Sequence, residues 1–280
     1  MEGLKKKIQA WWNSSPCCSG LTSAAWGSRE FFQEVDSYKD THEPFTNRIA
    51  DYGAWKGKKI LEIGCGLGKD FSRFAAAGAK ATCIDLSLKP LELTRKRLET
   101  FGLEGNHCLA DAENLPFKDG IFDLGFSWGV IHHTPDTQKA VREIYRCLRP
   151  GGGRAIVMLY NKVSLVNLKI NINYFIRSRL NLLRRIKTLL CPWRWFTPKV
   201  RGGVDLPRIA KEEFLAQSTD GVGNPFSTVY SRKDALRMFS QFRRINVCAY
   251  GPKGASWLAL GNCRWLEKHL GWFMVIIAEK

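Results

Sequence analysis

An apolar run that breaks into three alternating glycines constrains the fold of this chain most. The segment Lys59–Asp70 has the pattern of a strand, a tight turn at Gly64, Gly66 and Gly68, and the start of a helix. Glycine has no Cβ, so its backbone adopts positive φ easily and lets a ligand approach the N–H groups. The free N–H groups of the following helix point toward the same place. The pattern predicts a loop that cradles a nucleotide-like ligand, although a glycine turn without a ligand fits the same residues.

Two acidic residues follow the next two predicted strands. Asp85 ends the strand after the loop, about 20 residues beyond the glycines, where nucleotide-binding folds place a carboxylate on ribose hydroxyls. Asp111 ends the strand after that. Because ligands of open α/β sheets bind beyond the carboxyl ends of the strands, both acids are expected beside the glycine loop.

The order and spacing of these motifs resemble those of class I S-adenosylmethionine-dependent methyltransferases, most closely the methyltransferase type 11 group with the ubiquinone and menaquinone C-methyltransferases. The matching motifs, within roughly residues 57 to 160, are Leu61 to Gly68, Asp85 to Ser87, Asp111 to Phe117, Phe122 with Asp123, Gly129 to His133 and Leu148 to Gly152. The resemblance implies S-adenosylmethionine as the cofactor, with Asp111 on the adenine amino group and Glu62 supporting the methionine amino group.

A nicotinamide dinucleotide is the rival cofactor, because dehydrogenases share the first loop. Their fingerprint is Gly-x-Gly-x-x-Gly, whereas this loop places Gly68 only two residues after Gly66 and continues with Lys69 and Asp70. The dinucleotide pattern also does not call for an acid at Asp111. Both differences favour S-adenosylmethionine.

Strands and helices alternate from Lys58 onward, which predicts an α/β fold with a Rossmann-like, mostly parallel sheet and helices on both faces. The strands are expected near 59–63, 80–85, 106–110, 122–127 and 154–160, and the helices near 68–77, 89–101 and 135–148. Thr134 and Pro135 are typical of an N-cap and a first helical residue. The resemblance implies seven strands in all, closed by an antiparallel edge hairpin from residues 244–250 and 272–278.

We divide the chain into four segments on this basis. They are an N-terminal helical or irregular cap at 1–56, the cofactor-binding core at 57–160, a basic helical insert with substrate-side loops after the fifth strand at 161–230, and a C-terminal helix with the closing strands at 231–280. The resemblance implies that the cap lies over the cofactor and substrate pocket. Within it, Glu34 and Tyr38 are the candidate pocket residues.

The ends of the strands and the resemblance together supply the candidate site residues. For the cofactor they are Glu62, Gly64, Cys65, Gly66, Gly68, Asp85, Leu86, Asp111, Ala112 and Ser127, and for catalysis they are His132, His133 and Tyr160. An imidazole here could accept a substrate proton near neutral pH. Alternatively, one histidine shapes the loop, Tyr160 packs as an aromatic, and alignment of nucleophile and leaving group drives methyl transfer alone.

The composition indicates where in the cell the protein is expected and whether a bound metal is expected. The chain has no stretch of about 18 consecutive apolar residues and no signal-peptide pattern at its start, so a cytoplasmic location is expected. Nine scattered cysteines without a Cys-x-x-Cys pair suit reduced thiols, and no bound metal is expected. The adjacent pair Cys17 and Cys18 suits ordinary packing, although it could bind a soft metal or metalloid.

The net charge of +17 is concentrated in the insert, which has ten Lys or Arg and no Asp or Glu between Asn161 and Val204. Its apolar residues recur at helical spacing beside a basic face, and Trp193, Trp195 and Phe196 follow. Three roles fit: a lid over the active site, contact with an anionic membrane surface or lipid-like substrate, or contact with a nucleic acid.

These observations predict a methyltransferase that moves the methyl group of S-adenosylmethionine to a small, hydrophobic or lipid-like acceptor. A tRNA-modifying methyltransferase is the alternative enzyme, because Val130 to His133 also resemble some wobble-uridine methyltransferases. A cofactor-binding scaffold that activates a partner, without catalysis, is the alternative of another class. The oligomeric state is left open.

Overall fold

Strands and helices alternate through the middle of the chain and build one mixed sheet. The computed structural model describes residues 2–190, 210–251 and 268–280. The strands in this part are β1 Lys59–Ile63, β2 Lys80–Asp85, β3 Asn106–Leu109, β4 Leu124–Trp128, β5 Arg154–Asn161, β6 Val229–Tyr230, β7 Arg244–Tyr250 and β8 Phe273–Glu279. The α-helices in this part are α1 Glu2–Ser14, α2 Arg29–His42, α3 Phe45–Ala50, α4 Lys69–Ala76, α5 Leu88–Phe101, α6 Thr137–Cys147, α7 Leu165–Leu190, α8 Lys211–Asp220 and α9 Arg232–Met238.

The strand order is β3-β2-β1-β4-β5-β8-β7, and β6 pairs with β5 off this path. The pairs among β1 to β5 are parallel, whereas β8 runs antiparallel to both β5 and β7. This confirms the predicted Rossmann-like sheet and its C-terminal hairpin. The added strand β6 has only two residues, and two residues carry no periodicity that a sequence pattern can detect.

Helices cover both faces of the sheet. The residues of β4 and β5 are almost all buried, as expected for parallel strands between two helical layers. One apolar cluster joins one face to α6 and α9, with Ile144 and Phe239 among its members. A second joins the other face to α4 and α5, where the rings of Phe74 and Phe126 meet edge to face at 5.3 Å. The two layers hold the carboxyl ends of the strands in place.

The start of α6 differs from the prediction. The helix begins at Thr137, and the side chain of Asp136 accepts a backbone hydrogen bond of the first turn as its N-cap. Thr134 instead donates its hydroxyl to the carbonyl of Ile131, 3.1 Å away. An aspartate both caps the free N–H groups and complements the positive end of the helix dipole. The predicted start at Pro135 was therefore wrong by two residues.

The cap helix α2 is attached to the glycine loop through a buried arginine. Arg97 on α5 is 1% exposed, and its guanidinium donates two hydrogen bonds of 2.9 Å to the carboxylate of Asp36 on α2. Its third nitrogen donates to the carbonyl of Leu67 at 2.7 Å. A buried arginine needs such partners for its charge. One side chain thus joins α5, α2 and the loop.

The predicted basic insert begins with the long helix α7. Its first half carries exposed apolar side chains on successive turns, at Leu168, Ile172 and Phe175, while Tyr174 contacts Phe214 of α8. The aromatic residues Trp193, Trp195 and Phe196 lie outside the described residues. No helix within 2–190, 210–251 and 268–280 is both long and apolar enough to cross a membrane.

Candidate active site

A cavity lies at the carboxyl ends of β1, β2, β4 and β5, beneath α1 and α2. The backbone of the glycine loop forms part of its wall, and side chains from the cap helices close it on the other side. Most of the predicted cofactor residues line this cavity, namely Glu62, Gly64, Cys65, Gly66, Asp85, Leu86, Asp111 and Ala112. The topology therefore brings together residues that are scattered between positions 62 and 112 of the sequence.

The glycine loop needs glycine at two positions for different reasons. Gly64 has φ of +76°, and a Cβ there would lie 2.4 Å from both methyl carbons of Val130. Gly66 has φ of +54°, and a Cβ there would meet nothing within 4 Å. Thr94 fixes the loop by donating its hydroxyl to the carbonyl of Gly66 at 3.1 Å. Gly64 thus allows close packing, whereas Gly66 leaves space beside the backbone for a ligand.

Glu62 is a buried carboxyl group with an oxygen that lacks a partner. It is 3% exposed and lines the cavity, and its Oε2 has no hydrogen bond within the described structure. Burial, reinforced by the nearby Asp70 and Cys65, raises its pKa well above the ordinary value. A buried acceptor without a partner is costly, so a donor from a ligand would stabilise it.

Asp85 connects the loop to the end of β2. Its carboxylate accepts hydrogen bonds from the backbone N–H of Gly66 at 3.2 Å and of Ser87 at 2.9 Å. Burial raises its pKa to about 6, although the backbone hydrogen bonds oppose that shift. The carboxylate lines the cavity, where hydroxyl groups of a ligand can donate to its remaining lone pairs.

Asp111 is paired with a residue that the sequence analysis did not identify. The ammonium of Lys5 lies 2.5 Å from Asp111 Oδ2 and 2.6 Å from Glu113 Oε2. Further along α1, the Gln9 amide donates to the carbonyl of Leu86 at 2.7 Å. Helix α1 is thereby held across the end of the cavity that the acids of β2 and β3 form.

The opposite end of the cavity carries aromatic and ionisable side chains from distant parts of the chain. They are Trp12, Cys17, Lys39, Glu43, Trp128, His133, Tyr160, Asp220 and Phe273. Lys39 lies four residues after Val35 on one face of α2, and Glu43 follows as the C-cap residue of that helix. The predicted Glu34 and Tyr38 lie on neighbouring positions that the cavity does not reach: Tyr38 stacks on His42 at 3.8 Å instead.

One ring nitrogen of His133 is hydrogen-bonded, and the other has no hydrogen bond in the described structure. Its Nδ1 lies 2.9 Å from the carbonyl oxygen of Phe226, and since a carbonyl only accepts, Nδ1 carries the hydrogen. Nε2 has no hydrogen bond in the described structure and lies 3.7 Å from Asp220 Oδ2. Tyr160 donates its hydroxyl to the other oxygen of Asp220 at 2.7 Å. The arrangement can hold a proton received at Nε2.

Three predicted site residues lie behind the cavity wall. His132 is fully buried with its ring 3.9 Å from that of Tyr160, and burial, with His133 next to it, lowers its pKa well below the ordinary value. Ser127 is fully buried and does not line the cavity, which its neighbour Trp128 lines instead. Gly68 is the N-cap of α4, where a Cβ would lie 2.9 Å from Thr94 Oγ1. These residues support the site without lining it.

Comparisons with known proteins give the class of the chain. Residues 61–156 match the family described as "Methyltransferase domain". This part of the chain therefore has the sequence of a methyltransferase domain, as the motifs predicted.

Particular relatives are similar over this domain. The chain is 30% identical over 177 residues to "Tocopherol O-methyltransferase, chloroplastic" of Arabidopsis thaliana. The aligned region covers 56% of this chain and 50% of that protein. It is 34% identical over 116 residues to "Ubiquinone/menaquinone biosynthesis C-methyltransferase UbiE" of Cronobacter sakazakii, which covers 39% and 45%. The chain thus spans about half the length of the curated relatives it matches. A solved geranyl diphosphate methyltransferase, in complex with GPP and sinefungin, has the same fold, with a TM-score of 0.58 at 13% identity over 99% of this chain and 98% of that one.

The carboxylate acceptors that line the cavity fit the hydrogen-bond donors of S-adenosylmethionine. That molecule carries an ammonium, two ribose hydroxyls and an adenine amino group, all of which donate hydrogen bonds. Glu62 has an oxygen without a partner, and Asp85 and Asp111 line the same cavity. Each acid can therefore accept from one of the donor groups. Among the residues that the structure describes, no group of three or more His, Cys, Asp or Glu could hold a metal ion.

Proposed function

We propose that this chain catalyses methyl transfer from S-adenosylmethionine to a small-molecule acceptor. The observation that carries the proposal is one continuous cavity with two chemically different ends. At one end lie the glycine loop, the unpartnered oxygen of Glu62 and the carboxylate of Asp85. At the other lies the free Nε2 of His133, among aromatic side chains.

The residues of the first end hold and orient the cofactor. Glu62 accepts from the methionine ammonium, Asp85 accepts from the ribose hydroxyls, and Asp111 accepts from the adenine amino group. The bound cofactor supplies a methyl group on a positively charged sulfur. Gly66 lets the chain approach the ligand closely because no side chain lies between them. Fixed alignment of the reacting groups supplies much of the rate acceleration in displacements of this kind.

His133 accepts the proton of the acceptor at Nε2. The carbonyl of Phe226 fixes the ring tautomer, and Asp220 at 3.7 Å stabilises the imidazolium that forms. Tyr160 is a positioning residue, because its hydroxyl is committed to Asp220 and holds that carboxylate beside His133. His132 stays neutral and takes no proton.

The acceptor is proposed to combine an apolar body with a hydroxyl or a similarly acidic group. Trp12, Trp128 and Phe273 line the cavity and offer aromatic surface, which suits a hydrophobic or lipid-like molecule. The names of two relatives, a tocopherol and a ubiquinone/menaquinone methyltransferase, point the same way. The relatives named above give no support to tRNA as the acceptor.

Methyl transfer from isotopically labelled cofactor tests this function directly. The protein is incubated with a lipid extract, a set of phenols and quinols, or total tRNA, and label is counted in each fraction. We expect label in the lipid or phenol fraction, and label in tRNA alone would contradict the proposed acceptor.

Glu62→Gln keeps the shape of the side chain but removes its charge, and we expect the Kd for S-adenosylhomocysteine to rise about tenfold or more, as for loss of a hydrogen bond to a charged group. A Kd within twofold of the wild-type value would contradict the role of Glu62.

We further propose that the first half of α7 rests on an anionic membrane surface, with the chain otherwise cytoplasmic. Leu168, Ile172 and Phe175 are 54%, 47% and 57% exposed, on a helix whose sequence has only basic charges. Such helices bind anionic lipid through apolar burial and charge together. The protein should co-sediment with phosphatidylglycerol vesicles, less with phosphatidylcholine vesicles, and less after Phe175→Ser. Equal binding of both vesicle types would contradict this proposal.

A further inference from the structure

Two adjacent thiols lie beside the acceptor end of the cavity. Cys17 lines the cavity and is open to its space, and Cys18 packs against the apolar cluster of Phe31 and Phe32. Their sulfur atoms are 3.6 Å apart, and neither is in a disulfide. The methyltransferase mechanism uses neither side chain.

The backbone holds this pair in a conformation that cysteine seldom adopts. The N–H of Ser19 donates to the carbonyl of Pro16 at 3.0 Å and closes a turn whose two central residues are Cys17 and Cys18. Cys18 has φ of +68°, a value that the third residue of such a turn normally reaches as Gly or Asn. Within the described residues, Asp51 is the other non-glycine residue with positive φ. The turn therefore keeps a second cysteine at a position where glycine would be less strained.

The charge around the pair favours a single thiolate. The hydrogen bond between the two sulfurs, with help from the cation of Lys39, lowers the pKa of Cys18 to about 6. The same hydrogen bond raises the pKa of Cys17 above its ordinary value. The two sulfurs thus share one proton near neutral pH, and thiolates are soft ligands that prefer soft, thiophilic centres.

The distance between the sulfurs narrows the choice of ligand. Two sulfurs bound to one centre through bonds of about 2.3 Å lie about 3.8 Å apart at a tetrahedral angle and about 4.6 Å apart in line. The observed 3.6 Å matches the bent arrangement. No third protein ligand completes a metal cage in the part of the chain that the structure describes. A bent centre with two protein sulfurs and an external third substituent therefore fits, and a closed zinc site does not.

We propose that Cys17 and Cys18 form a dithiol site for trivalent, monosubstituted arsenic compounds and chemically equivalent thiophilic centres. Capture involves no oxidation or reduction. Two arsenic–sulfur bonds form, the arsenic–oxygen bonds break, and both thiol protons leave with the oxygen as water. The proposal rests on the geometry of the thiols and not on methyl transfer, so it stands or falls separately from the proposed function.

Phenylarsine oxide is the probe for this site. The reduced protein is treated with the probe and then with excess iodoacetamide, and tryptic peptides are measured by mass spectrometry. Cys17 and Cys18 are the only cysteines between Lys7 and Arg29, so they share one tryptic peptide. We expect this peptide to carry a phenylarsenic bridge in place of two alkyl groups. The bridge should remain in excess glutathione and should be removed by 2,3-dimercaptopropanol. A peptide alkylated at both cysteines after probe treatment would overturn the proposal.

Variants give an independent check on the intact protein. Cys17→Ser and Cys18→Ser each remove one sulfur, and we expect each to abolish the glutathione-resistant adduct. Cys248→Ser is the matched control, since Cys248 lies on β7 and its thiol contacts Asn246; this variant should keep the adduct. Unchanged thermal unfolding midpoints show that the variants are folded, and an adduct that survives in both Cys17→Ser and Cys18→Ser would overturn the proposal.

Discussion

The ammonium of Lys5 lies 2.5 Å from the carboxylate of Asp111, so the first helix of the chain is tied to an acid at the end of β3. The same ammonium lies 2.6 Å from Glu113. Lys5 thus neutralises two carboxylates beside the proposed adenine site. Any ligand that uses Asp111 must share it with this lysine or displace it.

Replacing Lys5 should loosen the cover over the cofactor. We expect Lys5→Met to raise the dissociation rate of S-adenosylhomocysteine several-fold, because α1 loses its ion pairs with Asp111 and Glu113. Stopped-flow displacement measures that rate. Lys6→Met is the control, since Lys6 is 75% exposed and approaches Glu2 within its own helix at 3.4 Å. Equal rates in the two variants would show that the ion pairs do not hold α1 in place.

Asp85 should give folding stability a distinctive pH dependence. Its pKa is about 6 in the folded protein against 3.8 for an ordinary aspartate, so between these values the folded state holds a proton that the unfolded state has released. The contribution of Asp85 to the free energy of unfolding therefore falls as pH rises from about 4 to 6, by roughly 3 kcal/mol at most.

Urea unfolding of the ligand-free protein across this range measures the effect. Asp85→Asn removes the titrating group. The free energy of unfolding of the wild type, minus that of the variant, should therefore fall as pH rises from 4 to 6. A difference that is constant from pH 4 to pH 6 would argue against a raised pKa. The protein must remain folded at the acid end for the comparison to be made, which circular dichroism verifies.

His133 should affect the chemical step and leave cofactor binding unchanged. His133→Gln retains a polar side chain but no base, and we expect kcat for methyl transfer to fall about 100-fold or more. The Kd for S-adenosylhomocysteine should stay within twofold. His107→Gln, on the exposed side of β3, is the control and should keep full activity. Full activity in His133→Gln would leave alignment alone as the source of catalysis.

Arg97 should be important for stability. Arg97→Met leaves the carboxylate of Asp36 and the carbonyl of Leu67 without their buried donor, and we expect the free energy of unfolding to fall by about 3 to 5 kcal/mol. Arg95→Met is the matched control, since Arg95 lies on the same helix, is 63% exposed and approaches Glu99 at 3.7 Å. That variant should change stability by less than about 1 kcal/mol. Chemical denaturation of both variants and the wild type measures these changes in the free energy of unfolding.

The parts of the site that could be predicted from sequence are those that lie next to a strand end. Gly64 directly follows β1 and Asp85 ends β2, while Gly66 and Asp111 come within three residues of the ends of β1 and β3, and parallel strands bring their carboxyl ends to one edge. A local pattern is sufficient to find such residues. Ser127 shows the limit of the rule, because it lies one residue before the end of β4 and its side chain is on the opposite face from Trp128.

The acceptor end, and the cover over the adenine end, depend on packing between distant segments and could not be predicted in the same way. Tyr160 reaches Asp220 across 60 residues of sequence, and Lys5 reaches Asp111 across 106. No spacing rule relates such positions. The face of α2 with the buried Val35 and Lys39, continued by the C-cap residue Glu43, had a detectable signal, a repeat of four residues. That signal does not indicate which neighbour the face meets.

The attachment of α1 also sets an order of events in folding. Its side chains bind Leu86 and Asp111, which lie 77 and 106 residues further along the chain. Helix α1 therefore leaves the ribosome before its docking surface has been synthesised. Contacts this distant in sequence form slowly, because a long loop must first be closed. We therefore expect the cover over the cofactor pocket to close late in folding, after the sheet has formed.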